Sequence, residues 1–280
     1  MRNQCALSEC CIGIIGSGKL ADAVVPYLLE HKQKIAGIWS RNKKKACKIA
    51  SRDGISVFDT VSQLVQHSRI LILAVTDDAI DQVVESISET SLKGYLVIHS
   101  SGCLPLDILQ PASLAGAETA VIHPLMTLAR LKNEPNPLNI APVGLVCSSK
   151  KIEQSLIKWF SGIGQEVFRI SPESRPLYHA AAVLACAGLH QLFMTSAQLF
   201  EVEGICTGKK AEKLLMPIVK RTLELGFHSK KVTITGPWSR QDSQTIRLHL
   251  KALKKSHPKI FRLYKCLMDL SREEKVNKTG

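Results

Sequence analysis

The sequence predicts an α/β fold: an N-terminal doubly wound sheet followed by an all-α C-terminal domain. Three observations carry this. An apolar strand runs straight into a glycine turn and a helix near the N-terminus, short apolar runs then alternate with helical patterns, and beyond residue 171 the strand pattern ends and only helices follow.

The first predicted strand is Ile12 to Ile15, ending on Gly16-Ser17-Gly18, with a helix over Lys19 to Glu30. Gly16 permits the tight turn, Gly18 lets backbone approach a pyrophosphate, and Ala21 stands where a third glycine allows close packing of helix on strand. Phosphates are expected at the N-terminus of that helix, against Gly16, Ser17, Gly18, Lys19 and Leu20, because unpaired N–H groups and the helix dipole favour anions there. A second strand, Ile35 to Trp39, follows at the spacing of a strand-helix-strand unit. It ends on Ser40-Arg41-Asn42-Lys43-Lys44-Lys45, where NAD binders place an acidic residue for the ribose. Ser40 and Arg41 with nearby lysines instead offer donors and positive charge to a 2′-phosphate, so the expected cofactor is NADP. The competing reading is a solvated helix start.

Further strands are expected at Ile55 to Phe58, Ile70 to Val75, Tyr95 to His99, Ala120 to His123, Val143 to Cys147 and Glu166 to Ile170. Most lack period-two alternation, as strands covered on both faces do. Residues 129 to 142, with Pro135, Pro137 and Pro142, read as a loop. The Ser171 to Pro176 segment marks a boundary, giving domains 1–171 for the cofactor and 172–280 for substrate and dimerisation. Helices are expected over Leu177 to Val202, Lys209 to Leu225 and Thr245 to Leu270, with a frayed tail from Ser271 to Gly280.

The charge of +13 invites a nucleic-acid reading, but the basic residues are dispersed, no recognition motif accompanies them, and only 5% of residues are aromatic. Small anions are the better match. The nine cysteines are odd in number and dispersed, without a Cys-x-x-Cys pair, so neither zinc nor redox chemistry is expected and most read as small buried apolar residues. No unbroken apolar run reaches membrane length and no signal core precedes the glycine turn, which predicts a cytoplasmic protein with no membrane partner.

Strand ends of an open α/β sheet face the ligand crevice. Ala74, Val75 and Thr76 are expected beneath the nicotinamide ribose, with Asp77 or Asp78 capping the next helix. In His99-Ser100-Ser101-Gly102, Ser100 is assigned to the cofactor and Ser101 to polarising the substrate oxygen. His123, before Pro124, and His179, after Tyr178, are the candidate proton donors, with a purely structural histidine as the alternative for His123. Arg240 is expected to clamp a substrate carboxylate, oriented by Asp242; the alternative is a surface ion pair with a helix cap.

Taken together, G-I-I-G-S-G-K-L-A, L-A-V-T-D-D-A-I, V-I-H-S-S-G, the His123-Pro124-Leu125 turn, Tyr178-His179-Ala180-Ala181-Ala182-Val183 and T-G-P-W-S-R-Q-D resemble one family along nearly the whole chain. It is the Rossmann-like oxidoreductase family with a helical C-terminal domain of long-unassigned function, related to ketopantoate reductases, pyrroline-5-carboxylate reductases and the 6-phosphogluconate-dehydrogenase type. The resemblance to alternative ketopantoate reductases implies NADPH-dependent reduction of 2-dehydropantoate to pantoate, in pantothenate and coenzyme A synthesis, with Arg240 on the carboxylate. Two positions depart from the family pattern: Ala187 where Asn is usual, and Gln241 where Gly is usual. The lysine donor of ordinary ketopantoate reductases has no match, and nothing points Lys213 or Lys220 inward. The alternatives are an imine reductase of pyrroline-5-carboxylate type, another NADP oxidoreductase, and a non-catalytic NADP(H) sensor. The apolar helix Leu177 to Phe200 suits a homodimer interface.

Overall fold

The structure is a computed structural model that describes residues 7–131, 133–228 and 235–277. They form two compact units, Met1–Leu184 and Ala185–Gly280. The first contains seven strands: β1 (Ile12–Ile15), β2 (Ile35–Trp39), β3 (Ile70–Leu73), β4 (Leu96–His99), β5 (Glu118–Pro124), β6 (Val143–Cys147) and β7 (Val167–Arg169). They lie in the order β2-β1-β3-β4-β5-β6-β7. All neighbours pair parallel except β5 with β6.

Helices α1 (Lys19–Glu30), α2 (Lys43–Asp53), α3 (Val61–Gln66), α4 (Ile80–Ile87), α5 (Gln110–Leu114), α6 (Lys150–Gly162) and α7 (Arg175–Val183) complete this unit. One sheet face, with Ile14, Ile72, Ile98 and Ile122, packs on Val24 and Leu28 of α1 and on Leu156 and Phe160 of α6. The other face, with Leu71, Leu73 and Val97, packs on Leu64, Val84 and Ala112 of α3, α4 and α5. Coverage on both faces accounts for the unalternating apolar strands and makes the sheet doubly wound. Successive strands build outward on opposite sides of β1, so the topological switch lies between β1 and β3, where the glycine turn leaves the sheet.

The second unit consists of α8 (Leu189–Val202), α9 (Gly208–His228), α10 (Pro237–Arg240), α11 (Ser243–Ser256) and α12 (Pro258–Asn277), preceded by the π-helical turn Leu184–Gly188. The expected Rossmann-like sheet and helical C-terminal region are both present.

Four details differ from the sequence reading. Ile55 to Phe58 forms no strand: it meets β2 only through the bridge Ile38↔Val57, with Ile55 and Val57 packed on one side of the sheet, Phe58 on the other and Ser56 exposed. The compact units divide at Leu184, beyond the 171/172 boundary, because Tyr178 of α7 packs on Val121, Val146 and Ile170 at the sheet end. Thr245 to Leu270 is two helices broken at His257, the residue before Pro258, where proline disfavours helical backbone. Ser271 to Asn277 continues α12 rather than fraying, and 278–280 lie outside the described residues.

Pro172–Val202 is a 31-residue helical stretch whose most apolar 18-residue window has a mean hydropathy of 1.4, by length and composition enough to cross a membrane. Arg175, His179, His190 and Gln191 interrupt its apolar runs, which is why no unbroken segment stands out in the sequence.

Candidate active site

The glycine turn is built by backbone proximity. Gly16 adopts φ +116°, and a Cβ there would lie 2.2 Å from the Ala74 carbonyl oxygen. Only glycine permits β1 and the end of β3 to approach so closely. Gly18 is roomier, its nearest atom, the Ala74 oxygen, lying 3.7 Å from an added Cβ. Gly18 is also the N-cap of α1, and no side chain caps that helix. The result is a glycine-walled concavity before a helix N-terminus, a shape and polarity that fit a pyrophosphate. Ser17 Oγ and Ser40 Oγ are 2.8 Å apart, tying the turn to the end of β2. Arg41 is exposed beside them. Asn42 caps α2 by accepting from Lys45 N–H, and Lys43 is held 2.6 Å from Asp59, so Arg41, Lys44 and Lys45 are the cations left facing outward.

Ala74 is buried against the turn, whereas Val75 is half-buried and Thr76 exposed. Ser100 and Leu20 line an apolar cavity of about 60 Å³ under α1, with Val24, Tyr27, Ile72 and Ile98. Lys19 is exposed at the first turn of α1.

Two strands over, side chains replace backbone. His99 and His123 follow Val97 and Val121 by two residues and so point to the same sheet face, away from α1. Residues 175, 178 and 179 of α7 are spaced i, i+3, i+4 and share one helix face. Tyr178 Oη lies 2.6 Å from His123 Nδ1. The His123 and His179 rings meet edge to face with centroids 6.0 Å apart. Gly102 makes room for them: a Cβ would lie 2.4 Å from His179 Cδ2 and 3.0 Å from His123 Nε2. Burial, then the nearby His179 and Arg175, pushes His123 down to about 4. Burial and Arg175 do the same to His99. Both rings are therefore neutral near neutral pH, and burial raises the Tyr178 phenol above its usual range.

Ser101 departs from its expected part. Its hydroxyl donates to Asp77 Oδ2 at 2.8 Å and accepts from the N–H groups of Cys103 and Leu104. It fixes the turn and has no proton left to polarise a substrate oxygen. Its own N–H donates to His99 Nδ1 at 3.2 Å, which makes His99 the Nε2–H tautomer. Arg175, which the sequence reading passed over, is buried behind this turn and donates to Ser101 O and Leu104 O. Its i, i+3, i+4 relation to Tyr178 and His179 was the available signal.

Arg240 and Asp242 lie in the second unit. Arg240 is exposed at the end of α10. Asp242 is the N-cap of α11, accepting from Thr245 N–H and Thr245 Oγ1, so its carboxylate is occupied by capping rather than by orienting Arg240. Gln241 between them sits in the left-handed region at φ +56°. Ala187 falls in the π-helical turn. Among the described residues no three His, Cys, Asp or Glu side chains converge as a metal site.

Residues 11–101 match the family described as NADP oxidoreductase, coenzyme F420-dependent, and residues 142–269 match a domain of unknown function, DUF2520. No curated protein matches the chain. Among solved structures, a Bacteroides fragilis protein assigned as an NADP oxidoreductase superposes with a TM-score of 0.76 at 22% identity, over 95% of this chain and 99% of that one. The pyrroline-5-carboxylate reductase of Streptococcus pyogenes gives 0.65 at 16% identity, over 97% and 98%. The Aspergillus terreus reductive aminase, in complex with NADPH and ethyl-5-oxohexanoate, gives 0.63 at 17%, over 95% and 94%. At such identities the likeness carries the fold.

Proposed function

We propose, from the matches of residues 11–101 to an NADP oxidoreductase family and of residues 142–269 to a domain of unknown function, that this chain is an NADPH-dependent reductase of a small oxo acid, with 2-dehydropantoate as substrate and pantoate as product. NADPH, when bound, supplies hydride; the protein supplies position and a proton. Gly16, Ser17, Gly18, Lys19 and Leu20 hold the pyrophosphate, Ser40 and Arg41 read the ribose 2′-phosphate, and Ala74, Val75, Thr76 and Ser100 flank the nicotinamide end. His123, bonded to Tyr178 and edged by His179, delivers the proton to the developing alkoxide. Arg240 takes the carboxylate.

The observation that carries this reading is the neutral, hydrogen-bonded His123–Tyr178 pair at the carboxyl end of the same sheet as the glycine turn. A sheet end that only bound NADP(H) would have no use for it, which weighs against a sensor. Imine reduction of the pyrroline-5-carboxylate type is the second reading, favoured by the two reductases of similar fold named above. Loss of NADPH absorbance with 2-dehydropantoate, with pyrroline-5-carboxylate and without substrate separates them. Turnover of 2-dehydropantoate alone supports the first reading, turnover of the imine alone replaces it, and silence with both in protein that binds NADPH defeats both substrates.

We further propose a homodimer. Leu177, Leu184, Leu189, Leu214 and Ile218 are all exposed on helices, apolar surface for a second copy to cover. Sedimentation at a single-chain mass would refute it.

A further inference from the structure

One charge at the sheet end has no ion-pair partner among the described residues. Arg175 is 1% exposed, and among the described residues no carboxylate comes within ion-pairing distance of it. Nη2 donates to Ser101 O at 2.6 Å and Nε to Leu104 O at 3.1 Å. Nη1 is shut off from solvent with no hydrogen-bond partner. Burying a guanidinium carries a large desolvation cost, and two carbonyls offset only part of it. Because Nη1 is closed off, Arg175 touches no substrate in this arrangement. Its charge acts through its neighbours.

Those neighbours are Cys103 in the 99–104 turn, Tyr178 on α7, His123 on β5, His99 on β4 and Asp77 after β3, with His179 beside His123. A buried cation opposes protonation of an imidazole and favours ionisation of a phenol. Both effects act in the same direction on a hydrogen-bonded histidine–tyrosine pair: they favour its giving up a proton. Asp77 acts the other way, but it is exposed and engaged by the Ser101 hydroxyl.

We propose that Arg175 is a positioning residue for proton delivery, its uncompensated guanidinium driving the proton shared along Tyr178 and His123 outward to the oxygen or nitrogen of the bond being reduced. This rests on the reductase reading for its purpose, though not for its electrostatics. As the carbon of the C=O or C=N bond accepts hydride, the π electron pair moves onto the heteroatom. That atom takes the proton from His123 Nε2, and the Tyr178 O–H proton passes to Nδ1. Arg175 stabilises the resulting phenolate until a solvent proton restores it, so one proton is consumed per hydride. The cation also fixes the turn carrying Gly102, over which Nε2 lies.

The test is a titration of histidine-labelled protein by NMR, without cofactor or substrate, the His123 signal being assigned by its loss in His123→Gln. Arg175→Gln is expected to move the His123 midpoint upward by about one pH unit, and Arg175→Lys to leave it near the wild-type value. Asp77→Asn, isosteric and exposed, is expected to move it downward. An unchanged midpoint in Arg175→Gln that melts and binds NADPH like wild type overturns the proposal. Should Arg175→Gln not fold, a downward shift in Asp77→Asn with an unchanged Arg175→Lys supports the proposal, and an upward or absent shift in Asp77→Asn overturns it. With a turned-over substrate, Arg175→Gln is expected to lower kcat about tenfold or more with KM little changed and the acid limb of the kcat profile displaced upward. If no substrate is found, the titration still decides the electrostatics, so failure of the reductase reading and failure of this proposal give different results.

Discussion

The glycine turn and the histidine–tyrosine cluster occupy the same carboxyl edge of one sheet, yet they are built by opposite means. At the turn, backbone meets backbone: Gly16, in the short Gly16-Ser17-Gly18 segment, lies against the Ala74 carbonyl at the end of β3. At the cluster, side chains from β4, β5, the 99–104 turn and α7 meet across some 80 positions of sequence. The first tolerates almost no change in a few residues. The second depends on burial and charge, and should respond to pH.

The largest effect is expected at Gly16. Gly16→Ala sets a Cβ against the Ala74 oxygen at a positive φ, which should cost about 3 kcal/mol or more and abolish NADPH binding. Gly18→Ala meets only ordinary contact there, so it should fold normally and lose at least about tenfold in NADPH affinity by crowding the pyrophosphate. Thermal unfolding with fluorescence titration of NADPH checks both. A Gly16→Ala protein as stable as wild type would break the contrast.

In the cluster, His123→Gln and Tyr178→Phe should each lower kcat by about 10² to 10⁴ while leaving NADPH affinity within about twofold. Equal losses in cofactor binding would show that the two regions are one.

Acid should tell the regions apart as well. His99 is fully buried and pushed down to about 4, from an unfolded value of 6.5. Below the unfolded value the denatured chain binds a proton that the native state does not. The stability contributed is thus complete above about pH 6.5 and is lost as pH falls toward about 4, amounting to about 3 kcal/mol. His123 adds in the same direction. Urea unfolding across this range should show the slope, and His99→Gln should flatten it.

The smallest effect lies outside both regions. Gln241 pays for a left-handed backbone at φ +56° where the resembled family carries glycine, so Gln241→Gly should stabilise by about 1 kcal/mol in thermal unfolding. No gain would mean that the Gln241 side chain offsets the strain.

Legibility follows the same division. The strand-turn-helix, its cofactor and most strands were readable because apolar runs and glycines act within a few residues of themselves. The Ile55 to Phe58 strand misled because a short β-branched and aromatic run looks alike whether it pairs along a ladder or through a single bridge. Ser101 and Asp242 were readable as polar residues at promising ends. Their actual work, bonding a turn and capping a helix, depends on which backbone groups lie beside them. Arg175 looked like any charged residue at a helix start.

By itself the sequence determined the order of strands and helices along the chain, the glycine turn, and the basic end of β2, since each rests on backbone conformation or on charge within one short segment. Tertiary structure alone decided that His123 meets Tyr178 rather than solvent, that the Ser101 hydroxyl is occupied, and that Arg175 is buried with no ion-paired carboxylate among the described residues. The physical reason is desolvation: removing water changes a side chain's charge preference and hydrogen-bond needs, and only the packing of distant segments says where water has gone.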